Sequence, residues 1–203
     1  MTIAIIGTGN IGAGLARVLA AAGKDIIVAD SKGGADAAAT LGLRAASVAD
    51  AVRAADTVIL ATPYGAAASL AAEADFAGKT VIDVSNPVTA DFSALQVGHT
   101  TSAAEEIAKL LPGATVVKAF NTVFAQHYAG DLTVGGAKIQ TFIASDDEAA
   151  RKAVVALAAD AGFAAREAGP LSNARYLEGV GYMNIQFGYM LGLGTGLAPA
   201  WIG

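Results

Sequence analysis

The sequence contains no cysteine and only two histidines, His99 and His127. Without cysteine there are no disulfides and no thiolate-based metal or redox sites. Charged residues are also scarce, at 15%, and a net charge of −5 provides no basic surface for nucleic acid. No Ser-His-Asp set, Tyr-x-x-x-Lys pair or metal-ligand cluster is evident. Because neither histidine has an evident catalytic partner, we expect both to be surface or supporting residues.

The chain opens with a short apolar run that breaks into glycines. Residues 2–6 have the β-branched character of a buried strand, and residues 10–22 have alanine and leucine at helical spacing. Between them stands G-x-G-x-x-G, whose glycines permit a tight turn, backbone approach to a pyrophosphate and close helix packing. The free amides of the helix start complete an anion site. The motif predicts dinucleotide binding by Gly7, Thr8, Gly9, Asn10, Ile11 and Gly12.

Strands and helices alternate along most of the chain. Further strands are predicted at 25–29, 43–46, 56–61, 79–84, 114–119 and 139–144. Helices are predicted at 65–75, 101–111 and 148–161, with two short ones within 34–54. This alternation predicts an α/β fold with a doubly wound parallel sheet.

The C-terminal segment has a different pattern. One long helix is predicted from Leu171 to about Gly194, and residues 179–203 carry no charge. Glycines 188, 192 and 196 recur every four residues, which predicts a bare helix face for close packing. The length would allow a membrane span, but internal polar residues and the lack of a basic flank favour burial at a subunit interface or against the sheet. We expect a cytoplasmic homodimer without a membrane segment, and read the apolar N-terminus as strand and helix rather than a signal peptide.

Polar residues follow the second predicted strand, where a dinucleotide's adenosine ribose is expected. Asp30 suits the free ribose hydroxyls of NAD, whereas Ser31 and Lys32 suit the 2′-phosphate of NADP. The two signals conflict, so the sequence leaves both cofactors open.

The ends of the later strands carry the remaining candidates. Small residues at Ala61, Thr62 and Pro63 would let the cofactor lie across the backbone. Asn86 and Asn121 follow neighbouring strands and could hold a carboxamide or a planar ring from two sides, with Phe120 excluding water. Since hydride transfer between stacked rings needs no acid or base, the absence of a catalytic constellation favours that chemistry.

Segments 5–12, 30–32, 61–64, 85–87, 118–122 and 169–178 carry a family resemblance in the same order. Together they resemble the coenzyme F420-dependent NADP oxidoreductases, a family that also resembles the reductase domain of the Steap ferric reductases. The resemblance implies a Rossmann domain over residues 1–168, a helical part over 169–203, and often a homodimer. It also implies NADP, with NAD possible, and a deazaflavin or flavin as second cofactor or substrate. Family members commonly have Ser-Arg where this chain has Ser31-Lys32, next to Asp30.

Three functions remain open at this stage. The first is hydride exchange between NADP(H) and a deazaflavin or flavin. The second is NAD(P)H-dependent reduction of a small carbonyl or imine, for which no proton donor is evident. The third is a non-catalytic dinucleotide-binding module, since fold alone does not determine function.

Overall fold

The computed structural model describes residues 1–202 and confirms the alternating pattern. The first half contains β1 (Thr2–Ile6), α1 (Asn10–Ala21), β2 (Asp25–Ala29), α2 (Ala35–Leu41), β3 (Arg44–Ala45), α3 (Val48–Ala54), β4 (Thr57–Leu60), α4 (Ala67–Glu73) and β5 (Thr80–Asp83). The second half contains α5 (Ala103–Leu110), β6 (Thr115–Lys118), β7 (Thr133–Val134), β8 (Ala137–Lys138), β9 (Gln140–Ile143), α6 (Glu148–Asp160), β10 (Ala164–Glu167) and α7 (Ala174–Ile185). A π-helical turn, Gln186–Met190, extends α7.

Six strands form one parallel sheet in the order β3-β2-β1-β4-β5-β6. The chain moves outward from β1 to one edge and then returns to build the other, so the order reverses between β1 and β4. This is the doubly wound Rossmann-type arrangement predicted from the sequence, and ligands bind at such a reversal, outside the carboxyl ends of the strands.

The sheet is buried on both faces because its strands are apolar at successive positions. Ile3 and Ile5 pack with α1 and α6 on one face, while Ala4 and Ile6 pack with α3 and α5 on the other. On the first face Gly14 lies against Tyr128, where an added Cβ would come within 2.6 Å of the Tyr128 side chain. Helices packed on both faces of the sheet therefore fix the positions of the strand ends.

The prediction that residues 139–144 continue the parallel sheet is wrong. β9 pairs in parallel with β10, and meets β6 only through an antiparallel bridge between Lys118 and Ala144. Parallel neighbours need a crossover connection, usually helical. The chain between β6 and β9 instead contains a 3₁₀ turn, Ala125–Ala129, and the hairpin β7–β8, which let it return in the opposite direction. Neither this hairpin nor β10 was predicted. The strands of the hairpin have two residues each, and β10 has four.

The predicted long C-terminal helix is shorter than expected. It ends at Met190 because Gly192 and Gly194 adopt left-handed conformations, with φ of +70° and +81°. The glycines at 188, 192 and 196 therefore do not share a helix face. Gly188 alone is helical, and an added Cβ there would lie 2.6 Å from the Phe124 ring, so its bare surface is used within the chain.

A fully buried ion cluster joins α7 to the sheet. Lys118, at the end of β6, places Nζ 2.7 Å from Asp83 Oδ2 and 2.8 Å from Glu178 Oε1. The Glu178 carboxylate also accepts the backbone N–H groups of Ala103 and Ala104 at the start of α5. The ion cluster thus connects two strands with two helices, α7 directly and α5 through Glu178.

Burial and the cluster's charges act on the pKa values of its members. Burial opposes the charge of Lys118, but attraction to Asp83 and Glu178 outweighs it and raises the Lys118 pKa above its ordinary value. Burial also raises the pKa of Glu178, against the opposing attraction of Lys118. Because the Lys118 pKa is higher in the folded protein than in the unfolded chain, protonation of this lysine stabilises the fold. The contribution is fully present when the pH is below the pKa of the unfolded chain, and it is lost as the pH rises through the pKa of the folded protein.

We expect Lys118→Met to lower the free energy of unfolding by about 3–5 kcal/mol, because it leaves two buried carboxylates without a cation. Lys109→Met is the matched control, since Lys109 pairs with Glu106 at the surface. Urea unfolding at pH 7 measures both. Equal effects of the two substitutions would contradict a stabilising role for the buried cluster.

Candidate functional site

A cavity of about 430 Å³ lies at the carboxyl ends of the central strands, beneath α7. Its wall includes the start of α1 and the residues after β4, β5 and β6, with one face of α7 and its π-helical turn. Predicted site residues in this wall are Asn10, Ile11, Ala61, Thr62, Pro63, Asn86, Phe120 and Asn121. The structure therefore brings together candidates that lie more than 100 residues apart in sequence.

The glycine-rich loop has the shape that a pyrophosphate requires. Gly7 has φ of +103°, and an added Cβ there would lie 2.4 Å from the Ala61 carbonyl oxygen. An added Cβ at Gly12 would lie 1.8 Å from the Gly7 oxygen, so the start of α1 packs directly on the loop. Gly9 faces open space, with nothing within 4 Å of an added Cβ. The loop thus leaves a cradle at Gly9, and the residues present fit a dinucleotide.

Asp30 is held by the protein's own donors. Its Oδ1 accepts the backbone N–H of Lys32 at 2.7 Å and that of Gly34 at 2.9 Å, while Oδ2 accepts the Thr8 hydroxyl. The Thr8 hydrogen bond, helped by the two backbone donors, lowers the Asp30 pKa despite the opposing effect of burial. The carboxylate is therefore ionised and largely occupied within the loop.

A second cavity, of about 450 Å³, lies beside this aspartate. Lys32 lines it together with Arg17 of α1, whereas Ser31 is exposed outside its wall. Neither Arg17 nor Lys32 belongs to an ion pair among residues 1–202. Arg17 was not predicted to belong to the site, although it is the one charged residue of the helix that follows the glycine loop.

The two predicted asparagines bind each other. Asn86 Nδ2 donates to the Asn121 carbonyl oxygen at 2.7 Å, and Asn121 Nδ2 donates to Asn86 Oδ1 at 2.9 Å. Asn121 Nδ2 also donates to the Leu177 carbonyl oxygen of α7, at 2.8 Å. The pair is therefore pre-organised under α7, and most of its hydrogen-bonding groups are already used.

Gly181 makes room for this pair and was not predicted. An added Cβ at Gly181 would lie 2.3 Å from Asn86 Oδ1 and 2.9 Å from Asn121 Nδ2. The nearby Gly179 has nothing within 4 Å. Of these two helical glycines, only Gly181 is required by packing at the site.

Three aromatic residues that were not predicted line the cavity beside Phe120. The Phe120 side chain is fully buried, and its ring packs on Phe163 with centroids 5.5 Å apart, so it contributes to the core. Phe92, Phe124 and Tyr189 line the cavity together with Phe120, and the Tyr189 ring lies 5.5 Å from the Phe124 ring in an edge-on arrangement. These residues gave no signal in the sequence because they come from a loop, a turn and the helix end.

The histidines lie outside the cavity wall. His127 Nε2 is 3.0 Å from the Leu197 carbonyl oxygen, in the C-terminal segment. Among residues 1–202, histidine and acidic side chains form no group suited to a metal ion. Within the same range, no helix is both long and apolar enough to cross a bilayer.

Comparison with known proteins identifies relatives of this chain. Residues 2–87 match the family model described as NADP oxidoreductase, coenzyme F420-dependent. The chain is 30% identical to Metalloreductase STEAP3 of Rattus norvegicus over 88% of its own length, but spans only 36% of that protein.

Two solved structures extend the similarity over most of the chain. A hypothetical protein from Sinorhizobium meliloti is 33% identical with a TM-score of 0.78, covering 86% of this chain and 88% of that one. A candidate F420-dependent NADP reductase from an Arthrobacter species is 25% identical with a TM-score of 0.83, covering 94% of both chains.

We expect Gly181→Ala to weaken NADPH binding at least about tenfold, or to destabilise the fold by about 1–3 kcal/mol, because the new methyl group overlaps the asparagine pair. Gly179→Ala on the same helix should be neutral or stabilise by up to about 1 kcal/mol, since alanine is the better helix former. Calorimetric titration and thermal unfolding of both variants measure the effects. Identical behaviour of the two would show that the amide pair does not need the space at Gly181.

Proposed function

We propose that this chain, whose residues 2–87 match the family model of the coenzyme F420-dependent NADP oxidoreductases, transfers hydride between NADP(H) and a deazaflavin- or flavin-like acceptor. At the coarser level it is an NADP-dependent oxidoreductase. The acceptor and the site residues are part of the proposal.

The chemistry of the cavity wall carries this proposal. The described wall contains no Asp, Glu, His, Lys or Arg; its polar side chains are hydroxyls and amides, and the rest of it is largely apolar. NADPH, when bound, supplies a hydride from the nicotinamide ring. Such a transfer requires two rings to be held together away from water and requires no proton carrier. The protein's residues then orient the rings, while Phe92, Phe124 and Tyr189 exclude water.

We propose a modest preference for NADPH over NADH. Since three of the protein's own donors already bind Asp30, this carboxylate has little remaining capacity to accept from ribose hydroxyls. Lys32 and Arg17 line the second cavity and offer two cations to a 2′-phosphate, and Ser31 adds an exposed hydroxyl next to Lys32 in the chain, outside that cavity's wall. Lysine acts there as a point charge rather than a bidentate fork, so the preference is modest.

The second candidate function is reduction of a carbonyl or imine. Tyr189 favours it, because its phenol is the one titratable side chain in the described cavity wall and could donate a proton. The non-catalytic module remains the third possibility. Tyr189→Phe separates the first two functions, since ring-to-ring hydride transfer does not need the hydroxyl.

We expect deuterium from NADPH labelled at nicotinamide C4 to appear at C5 of the reduced deazaflavin, where the C–D bond does not exchange with water. His99→Ala, His127→Ala and Tyr189→Phe should each retain at least about half of kcat, since none supplies a proton to this step. Asn121→Ala should lower kcat/KM by about a hundredfold, because it removes the tie between the asparagine pair and α7. Mass spectrometry of the acceptor and initial rates measure both effects.

Two results would reject this chemistry. Solvent hydrogen in place of the label at C5 of the reduced deazaflavin, or a rate abolished by Tyr189→Phe, would indicate proton-coupled reduction instead. NADPH binding without turnover of any acceptor would indicate a binding module. The same assay with NADH measures the cofactor preference, which Lys32→Ala should reduce.

We propose that the chain forms a homodimer through the outer face of α7. This face exposes Tyr176, Met183 and Phe187 beside an apolar groove of about 720 Å³, which the C-terminal segment completes with Leu193 and Leu197. An apolar surface of this kind commonly marks an interface, and a twofold dimer is the commonest way to cover it.

We also propose that the protein acts in the cytoplasm, on small molecules and not on nucleic acid.

Light scattering should show a dimer, and Met183→Lys should convert it to a monomer of similar thermal stability, because Met183 is already partly exposed in the single chain. Leu110→Lys is the matched control, since Leu110 is exposed to a similar extent outside this groove. A monomeric unsubstituted protein would reject the dimer.

A further inference from the structure

Three residues of the cavity wall each carry a buried side-chain oxygen that has no hydrogen-bond partner within the protein. These oxygens are Ser85 Oγ, Asn121 Oδ1 and Thr122 Oγ1. The three residues are only 7%, 6% and 1% exposed. Folded proteins leave few buried polar groups unpaired, so three at one place require an explanation. Among residues 1–202, only Tyr128 Oη shares this condition, and Tyr128 does not line the cavity.

The neighbouring hydrogen bonds determine what each free atom can do. Asn121 Nδ2 faces two acceptors, the Leu177 carbonyl oxygen and Asn86 Oδ1. Asn86 is oriented in turn because its Nδ2 must face the Asn121 carbonyl oxygen. Flipping either amide would bring oxygen against oxygen. The free Asn121 Oδ1 is therefore an acceptor that needs a donor from outside the chain.

The two hydroxyls are free although their own backbone carbonyls are occupied. The Ser85 carbonyl accepts from Lys118 Nζ at 2.6 Å, and the Thr122 carbonyl accepts from Asn184 Nδ2 at 3.1 Å. These bonds fix the backbone of both residues while their Oγ atoms remain available. The wall thus presents one obligate acceptor and two hydroxyls that can donate.

We propose that Ser85, Asn121 and Thr122 bind the neutral amide edge of a planar ring ligand. In this arrangement the ligand N–H donates to Asn121 Oδ1, and an adjacent ligand carbonyl accepts from the Ser85 or Thr122 hydroxyl. The carboxamide of nicotinamide and the imide edge of a flavin or deazaflavin both carry this chemistry. The choice of these ligands rests on the proposed function. A charged edge is disfavoured because no ionic side chain of the described wall would compensate its charge.

Deleting the two hydroxyls separates ligand binding from fold stability. In the free protein these atoms have no partner, so Ser85→Ala and Thr122→Val should leave the melting temperature unchanged or raise it by up to ~4 °C. Each substitution should weaken the binding of NADP⁺ or of riboflavin, whichever presents the bound amide edge, by about tenfold. Tyr128→Phe is the matched control, because it removes the unpaired hydroxyl that lies outside the cavity. It should leave ligand binding unchanged.

Ligand analogues distinguish the two sources of the amide edge. One arm compares NADP⁺ with its 3-acetylpyridine analogue, which keeps the carbonyl and loses the N–H. The other compares riboflavin with N3-methylriboflavin, which loses the imide N–H. In one arm calorimetry should show about tenfold weaker binding of the analogue, and that arm identifies the ligand.

Equal binding of parent and analogue in both arms would overturn the proposal, as would hydroxyl deletions that lower the melting temperature and leave binding intact. If labelled hydride still passes from NADPH to the acceptor in that case, the proposed function survives and only this inference fails. If neither parent ligand binds, both fail.

Discussion

The buried contact of Lys118 with Asp83 and Glu178 holds the site together. Asp83 and Lys118 end adjacent strands in register, so the sheet brings them together without help from any loop. Glu178 comes from α7 and reaches both the lysine and the first amides of α5. Since a buried carboxylate cannot leave such partners without a large electrostatic cost, α7 is kept over the carboxyl ends of the strands. The ion cluster therefore keeps α7 in place as the cover of the cavity.

The same cluster explains how a neutral cavity exists next to strong charges. Lys118 and Asp83 lie a few residues from Asn121 and Ser85 in the chain, yet their charges are directed at one another and at Glu178. What reaches the cavity is a set of amides, hydroxyls and rings. A neutral wall favours neither redox state of a bound ring, which suits hydride exchange in either direction.

The sequence was informative wherever the signal was local. The glycine loop and the six strands of the parallel sheet depend on short patterns, and the structure shows these elements where they were predicted. The candidate residues at the strand ends lie in the wall of one cavity, while their roles stay predictions. Gly181 and Glu178 could not be recognised, because their roles depend on partners about 60 to 95 residues away in the chain. The sequence places Phe120 at a strand end but does not show that its ring, besides lining the cavity, packs on Phe163 in the core. The C-terminal helix was predicted too long because the glycine spacing suited a helix face, whereas left-handed conformations at Gly192 and Gly194 end the helix.

The close approach at Gly181 also has an evolutionary consequence. A single hydrogen on this α-carbon is all that the space above Asn86 admits. A larger residue at position 181 requires the Asn86 side chain to move, shorten or be replaced. A lineage that adopts a different ring ligand would therefore be expected to alter positions 86 and 181 together.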